Sequence, residues 1–381
     1  MKVAKIKGIV ISLHISTLLI IGLVGFYAAD EYATLAPGSS IIQLIIVGLI
    51  NGIIILFSIL IHELTHSLIA QRYGLKVSEI ELYLFGGVSK IEQEPTTPKS
   101  ELIISFFGPI SSLVLGGIFL GTLFLTTSLL SLTLPLIVSV TLLYSGITNV
   151  GLGIFNLLPA YPMDGGRVLR AILWKSRHDI LSATKTAARV GTYLAYSLMG
   201  IGFLLMLMIN FFSGLWLIII ASFLNNQSRH AYLQTFNEIA LSKLSARELV
   251  TISEIAVPFN TILSEVISNY FMMYKKTYFP VIQGGEVVGI IHIEDVKRVP
   301  LNQRHEIIAG YVMKRINYFP IISSSANGKE AITQLIKMKN RPHLVAVKDE
   351  TTNQVIGFIG EEDIVSSLQF IKNQMEVSRG Y

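Results

Sequence analysis

The stretch "IIQLIIVGLINGIIILFSILIHELTHSLIAQR", residues 41 to 72, decides the architecture. Its first 21 residues, Ile41 to Ile61, carry no charge, and at 1.5 Å of helical rise per residue they span the ~30 Å hydrocarbon core of a bilayer. The run leads straight into His62, Glu63 and His66. Ionisable groups are costly at such a depth, so their presence there signals a function. On a helix, His62 and His66 are four residues apart and project from one face, about 6 Å apart along the axis. That spacing suits two ligands of a single Zn²⁺, and Glu63 beside them is placed to take a proton from a water that the metal activates.

The rest of the chain supports a membrane setting. Of its 381 residues, 51% are hydrophobic and only 14% charged, with a mean hydropathy of +0.59, against about a quarter charged in ordinary soluble domains. The distribution is uneven. From Leu102 to Met163 there is no Asp, Glu, Lys or Arg, whereas the chain beyond about Asn225 carries charge at ordinary density. Two bodies follow: a membrane part and a soluble C-terminal part. A net charge of +5 with no basic cluster interleaved with aromatics fits loops facing an anionic leaflet and excludes a nucleic-acid binder. With no cysteine, there are neither disulfides nor thiolate metal ligands.

Apolar stretches predict six spans, at 8–29, 41–72, 102–127, 134–158, 190–209 and 211–227. The first, which lacks a small-residue cleavage site, reads as a retained span rather than a signal peptide. Loop charge alternates with every crossing: Lys2, Lys5 and Lys7 precede the first span, Arg72, Lys76, Lys90 and Lys99 follow the second, and Arg167, Arg170, Lys175, Arg177, Lys185 and Arg189 follow the fourth. The positive-inside rule then puts both termini in the cytosol. Between the second and third spans, "KVSEIELYLFGGVSKIE" (76–92) alternates apolar and polar residues and contains Gly86-Gly87, predicting a membrane-surface β-hairpin.

Two histidines leave a catalytic zinc site one protein ligand short. The next acidic residue at an apolar boundary is Asp164, in "NLLPAYPMDGGR" (156–167), where Pro159 and Pro162 break the fourth span and Gly165-Gly166 permit a tight turn. Taken alone, Asp164 suits equally well the N-cap of a helix from about Gly166 to Trp174.

Together, "HELTH" in a transmembrane helix and "NLLPAYPMDGGR" about 90 residues later resemble the site-2 protease family of intramembrane zinc metalloproteases. The resemblance covers roughly residues 1 to 224. It implies that His62, His66 and Asp164 bind zinc, that Glu63 is the general base, and that Asn156 stabilises the oxyanion. It also implies that the 76–92 hairpin grips an unwound transmembrane segment of a membrane-protein substrate. Ser112, in "FGPISSL", stands where the family often has Asn, which puts a supporting role there in doubt. His14 is expected to be a buried structural histidine.

Beyond a linker at 229–249, residues 250–374 hold a degenerate repeat. "TYFPVIQGGEVVGIIHIEDV" (277–296) parallels "RPHLVAVKDETTNQVIGFIGEEDI" (341–364), with Gly289 to Asp295 and Gly357 to Asp363 at equal spacing. This resembles a tandem CBS-domain module, a regulatory α/β fold that often binds adenine nucleotides. The resemblance implies ribose contacts from Asp295 and Asp363, but His292 and Gly360 replace the usual Ser/Thr. Weak nucleotide binding or none is expected, with the pair serving as a homodimer surface. The whole is thus read as a polytopic α-helical membrane protein, residues 1–228, with a soluble CBS pair. A CBS-gated transporter or a non-catalytic metal-binding membrane protein is the competing reading. Transport predicts ionisable residues spread along the spans, and a scaffold has no use for Glu63.

Overall fold

A computed structural model describes residues 2–83, 86–91, 94–250, 255–338 and 343–378. The chain divides into two compact units, 1–233 and 234–381.

The first unit opens with a hairpin, β1 (Lys2–Ile6) and β2 (Ile9–Leu13), followed by α1 (Thr17–Leu35) and α2 (Ile41–Arg72). Then come β3 (Val77–Tyr83), β4 (Gly86–Ile91), α3 (Pro98–Phe124) with a π-helical extension to Leu129, α4 (Leu136–Asn156), α5 (Asp164–Arg177), α6 (Ile180–Met208) and α7 (Phe211–Lys243). By length and composition, five helices can cross a membrane: α1, α2, α3 with its extension, α4 and α6. The sixth expected span is the first half of α7, whose apolar run ends at Leu224 before Asn225 and Asn226; α7 is not among the five. It folds back on α6 with its glycine against backbone: a Cβ on Gly214 would lie 2.4 Å from the Gly202 carbonyl oxygen.

The first span differs from expectation. Residues 9 to 13 are strand and the helix begins only at Thr17. An apolar run does not by itself distinguish helix from buried strand. Here Ile9 and Ile11 alternate inward and β2 pairs in parallel with β3, Val10 opposite Glu79 and Leu13 opposite Leu82. The surface hairpin is therefore part of a four-stranded sheet, β1-β2-β3-β4. Its buried Ile9, Ile80 and Leu82 share one core with Ile55, Ile59 and Ala70 of α2 and Ile104 of α3. His14 lies exposed in the turn into α1, its Nδ1 2.8 Å from Ser16 Oγ, so it is not a buried structural histidine.

In the second unit, α7 ends at Lys243 and is followed by α8 (Ala246–Leu249), so the segment expected as a linker is helical for most of its length. Leu241, Ala246 and Leu249 belong to the core of this unit. Next come β5 (Val257–Pro258), α9 (Leu263–Val266), β6 (Tyr278–Gln283), β7 (Glu286–His292), α10 (Ile293–Lys297), α11 (Ala309–Val312) and β8 (Lys314–Arg315). The chain continues through β9 (Ile321–Ser323), α12 (Gly328–Lys337), β10 (Leu344–Lys348), β11 (Val355–Gly360) and α13 (Glu361–Ser378). The repeat is visible in the pairing. β5 runs parallel to β6, which is antiparallel to β7; β9 runs parallel to β10, which is antiparallel to β11. Each strand pair ends in a helix carrying the repeated aspartate, Asp295 in α10 and Asp363 in α13.

Helices α1 and α2 meet backbone to backbone, as small residues allow in membranes. A Cβ on Gly48 would lie 2.9 Å from the Gly25 carbonyl oxygen, while Gly22 on the same helix faces open space. Gly48→Val should destabilise the bundle by about 1–3 kcal/mol, and Gly22→Ala should leave it unchanged. Thermal unfolding of the detergent-solubilised variants measures both.

Candidate metal centre

Helix α2 supplies the first two groups, and its register determines why. Asn51, Ile55, Ser58, Ile59, His62 and His66 recur at helical spacing and are all buried, so the histidines point into the bundle. Among the described residues the one cluster able to hold a metal is His62, His66 and Asp164. The two Nε2 atoms are 3.1 Å apart, and each is 3.1 Å from Asp164 Oδ2. Ligands held by zinc at about 2.0–2.1 Å in a tetrahedron stand roughly 3.3 Å apart. Two imidazole nitrogens and one carboxylate oxygen at nearly that spacing fit the ion.

The open question about Asp164 is answered by its position. It is the first residue of α5, Met163 occupies the cap position with no side-chain cap, and the carboxylate faces the histidines. Residues 157 to 163 bring it there from the end of α4. The two glycines that follow have ordinary helical backbone. Their role is space rather than turn formation: a Cβ on Gly165 would lie 2.2 Å from the Leu157 carbonyl oxygen, and one on Gly166 2.5 Å from Tyr161 N.

Helix α3 orients the rings. His66 Nδ1 donates to the Ile104 carbonyl at 2.7 Å, which leaves Nε2 free to ligate. His62 Nδ1 lies 2.9 Å from Ser112 Oγ, so the serine that replaces the family's usual asparagine is the ring's partner. Gly108 completes this face; a Cβ there would lie 2.0 Å from His66 Nε2. Sequence reasoning missed Ile104, which acts through its backbone, and Gly108. The Gly108-Pro109 pair was the visible signal, but which ring it faced was not.

Glu63 lies beside the cluster rather than in it. Its Oε2 accepts from Ser89 Oγ at 2.9 Å, and Ser67 Oγ donates to Ser89 Oγ at 3.0 Å. Strand β4 is pressed onto it, since a Cβ on Gly87 would lie 2.3 Å from Glu63 Cγ. The glycine pair is thus a close backbone approach. Asn156 closes α4 and donates from Nδ2 to the Leu152 carbonyl at 2.9 Å, a bond within its own helix that does not join the cluster.

In the second unit, Asp363 is engaged internally. Its Oδ2 accepts from the Tyr278 hydroxyl and, at 2.8 Å, from Gly360 N. Burial and the neighbouring Asp363 carboxylate push the Tyr278 phenol far above its usual range, so it remains a donor. Asp295 faces Lys314 Nζ at 3.3 Å through Oδ1. His292 Nδ1 accepts from Glu294 N at 3.1 Å, capping α10. Burial holds its imidazole below the ordinary value.

Two buried histidines on an apolar helix long enough to cross a membrane, met by a carboxylate from α5 and with a second carboxylate beside them, are the donor set of a metallohydrolase of the membrane. The sequence model of Peptidase family M50 matches residues 51–133 and 131–201, and that of the CBS domain matches 246–302. Zinc metalloprotease MJ0392 of Methanocaldococcus jannaschii is 28% identical over 380 residues, covering 98% of this chain and 97% of that one. The solved site-2 protease from Methanocaldococcus jannaschii is 33% identical, with a TM-score of 0.41, covering 61% of this chain and 94% of that one. Stage IV sporulation protein FB of Bacillus subtilis is 27% identical over 128 residues, 32% of this chain and 41% of that one. The chain belongs to Peptidase family M50, the site-2 proteases: it is a zinc metalloprotease with membrane helices and a C-terminal CBS region.

Ring-orienting partners typically carry 10–100-fold of metal affinity. Ser112→Ala should therefore weaken zinc binding by about that factor, measured by competition with a chromogenic chelator, while the helical content seen by circular dichroism stays unchanged.

Proposed function

We propose that His62, His66 and Asp164 hold one zinc ion and that Glu63 is the general base for peptide-bond hydrolysis in or beside transmembrane segments of membrane-protein substrates. The observation that carries this is the triangle of three donor atoms, each pair 3.1 Å apart, with Glu63 on the next residue of the same helix. Zinc in this site supplies Lewis acidity toward a carbonyl and makes water acidic near neutral pH. Glu63 accepts the proton of the attacking water and returns it to the departing amine. Ser89 keeps its carboxylate aimed while that happens. Asn156, at the end of α4, is the oxyanion donor, and its amide must leave the Leu152 carbonyl to serve.

Substrate enters as an extended chain, because a helix hides the amide that must be cut. Among the described residues β4 pairs only with β3, so its outer edge offers backbone groups for strand addition. Gly87 places that edge against Glu63.

We also propose that the sheet side of the first unit faces the cytosol. The parallel pairing of β2 with β3 joins the N-terminus to the C-terminal end of α2, which gathers Lys2, Lys5, Lys7, Arg72, Lys76 and Lys90 on one side, as positive-inside orientation requires. When the apolar half of α7 also crosses, the CBS region lies on that side. There it acts as a regulatory and dimerising module that binds no adenine nucleotide through Asp363, whose carboxylate is already bonded to Tyr278 and Gly360.

Two measurements test these assignments. Glu63→Gln should retain one zinc per chain yet cleave a glycine-containing transmembrane peptide at least ~100-fold more slowly, while His66→Ala and Asp164→Ala should lower zinc content as well. Undiminished cleavage by the Glu63 variant removes the mechanism. For orientation, the chain's lack of native cysteine allows single cysteines at positions 88 and 36. A membrane-impermeant thiol reagent should reach the first only from the cytosolic side and the second only from outside.

A further inference from the structure

Helix α5 is fastened to α3 by an ion pair deep in the first unit. Glu101 is 0% exposed and Arg170 only 3%. Arg170 Nε donates to Glu101 Oε1 at 2.5 Å, and Nη2 bonds the same oxygen. The guanidinium also lies 3.6 Å from Glu94 Oε2 and sits over the Tyr161 ring, 5.6 Å from its centroid. Stability does not explain such a pair, because removing two charges from water costs about what their attraction returns, and apolar residues of similar volume often hold as well. The arrangement is not even fully satisfied: Glu101 Oε2 and the Tyr161 hydroxyl are buried without a hydrogen-bond partner among the described residues. A charged pair adds geometry. A planar guanidinium on a carboxylate tolerates little sliding or rotation, whereas apolar contacts accept both.

What needs that geometry is at the other end of α5. Asp164 begins the helix and Arg170 follows six residues later, about 9 Å along the axis. The two histidines share one helix and are placed relative to each other by its repeat. Asp164 is the one donor of the triangle that comes from elsewhere in the chain, so its position depends on how α5 docks. The docking surface is the same face of α3 that serves the histidines. Glu101, Ile104, Gly108 and Ser112 follow at spacings of three, four and four; they meet Arg170, His66, His66 and His62 in turn. One helix face thus references all three donors.

We propose that Glu101 and Arg170 are positioning residues for the metal centre: their ion pair fixes α5 on α3 so that Asp164 meets His62 and His66. The inference rests on Asp164 being a ligand.

The test uses the full-length protein in detergent, loaded with zinc, and follows zinc transfer to a chelator together with thermal unfolding of the metal-free form. Asp164→Ala comes first; if it retains zinc as the parent does, the ligand assignment fails. Given that it loses zinc faster, Arg170→Met and Glu101→Gln should each speed zinc loss by about 10–100-fold in the parent. In the Asp164→Ala background Arg170→Met should add no further acceleration, since the pair acts through that carboxylate. The double variant Glu101→Leu/Arg170→Leu should recover thermal stability without recovering slow zinc release, and Arg170→Lys, which keeps the charge, should release zinc at a rate between Arg and Met. Zinc release that returns to the parental rate in the apolar double variant, or acceleration by Arg170→Met that persists without Asp164, overturns the proposal and leaves a purely structural pair.

Discussion

A polar group inside a bundle of membrane helices must find its partners within the protein, because lipid offers none. This constraint organises the first unit. His62 and His66 occupy the interior face of α2, and each needs a partner for the ring nitrogen that does not face the donor triangle. Both partners come from α3, one a backbone carbonyl and one a serine hydroxyl. The close approach this requires is possible because the intervening position is Gly108. A side chain there would occupy the place of the His66 ring, so the packing of α3 on α2 and the geometry of the metal site are one structural fact.

The Glu63 carboxylate answers to a different element. Glu63 is adjacent to His62 in sequence but its hydrogen-bond partner is Ser89 on β4, itself supported by Ser67 one turn of α2 further on. The carboxylate proposed as general base is therefore tied to the edge strand β4. That coupling also gives the N-terminal hairpin a purpose. By pairing with β3, β2 turns an isolated two-stranded ribbon, marginal by itself, into a four-stranded sheet that shares a core with α2 and α3.

The second unit shows how a repeat can keep its fold while the contacts of its repeated aspartates diverge. Strand order and the aspartate at the head of each closing helix are preserved in both halves. The surroundings of the two aspartates are not. Asp363 is bonded to Tyr278 of the other repeat and to Gly360 N, whereas Asp295 faces Lys314. The tyrosine hydroxyl and the backbone amide both bond one oxygen of Asp363, Oδ2.

Much of this protein was legible in its residues. Uncharged runs of about 20 residues, the four-residue spacing of His62 and His66, and the repeated Gly-to-Asp interval all depend on local periodicity, which a helix or strand converts directly into which residues share a face. The sequence could not say that Ile9 to Leu13 is strand, because an apolar stretch reads alike in helix and sheet until a partner, here β3, takes up its backbone bonds. Nor could it place Asp164 beside the histidines rather than at the helix cap, find the carbonyl of Ile104 or see Asp363 already bonded to Tyr278. Each of those depends on groups distant in the chain, 102 residues in the case of His62 and Asp164 and 85 in that of Tyr278 and Asp363, and only tertiary packing brings them within bonding distance.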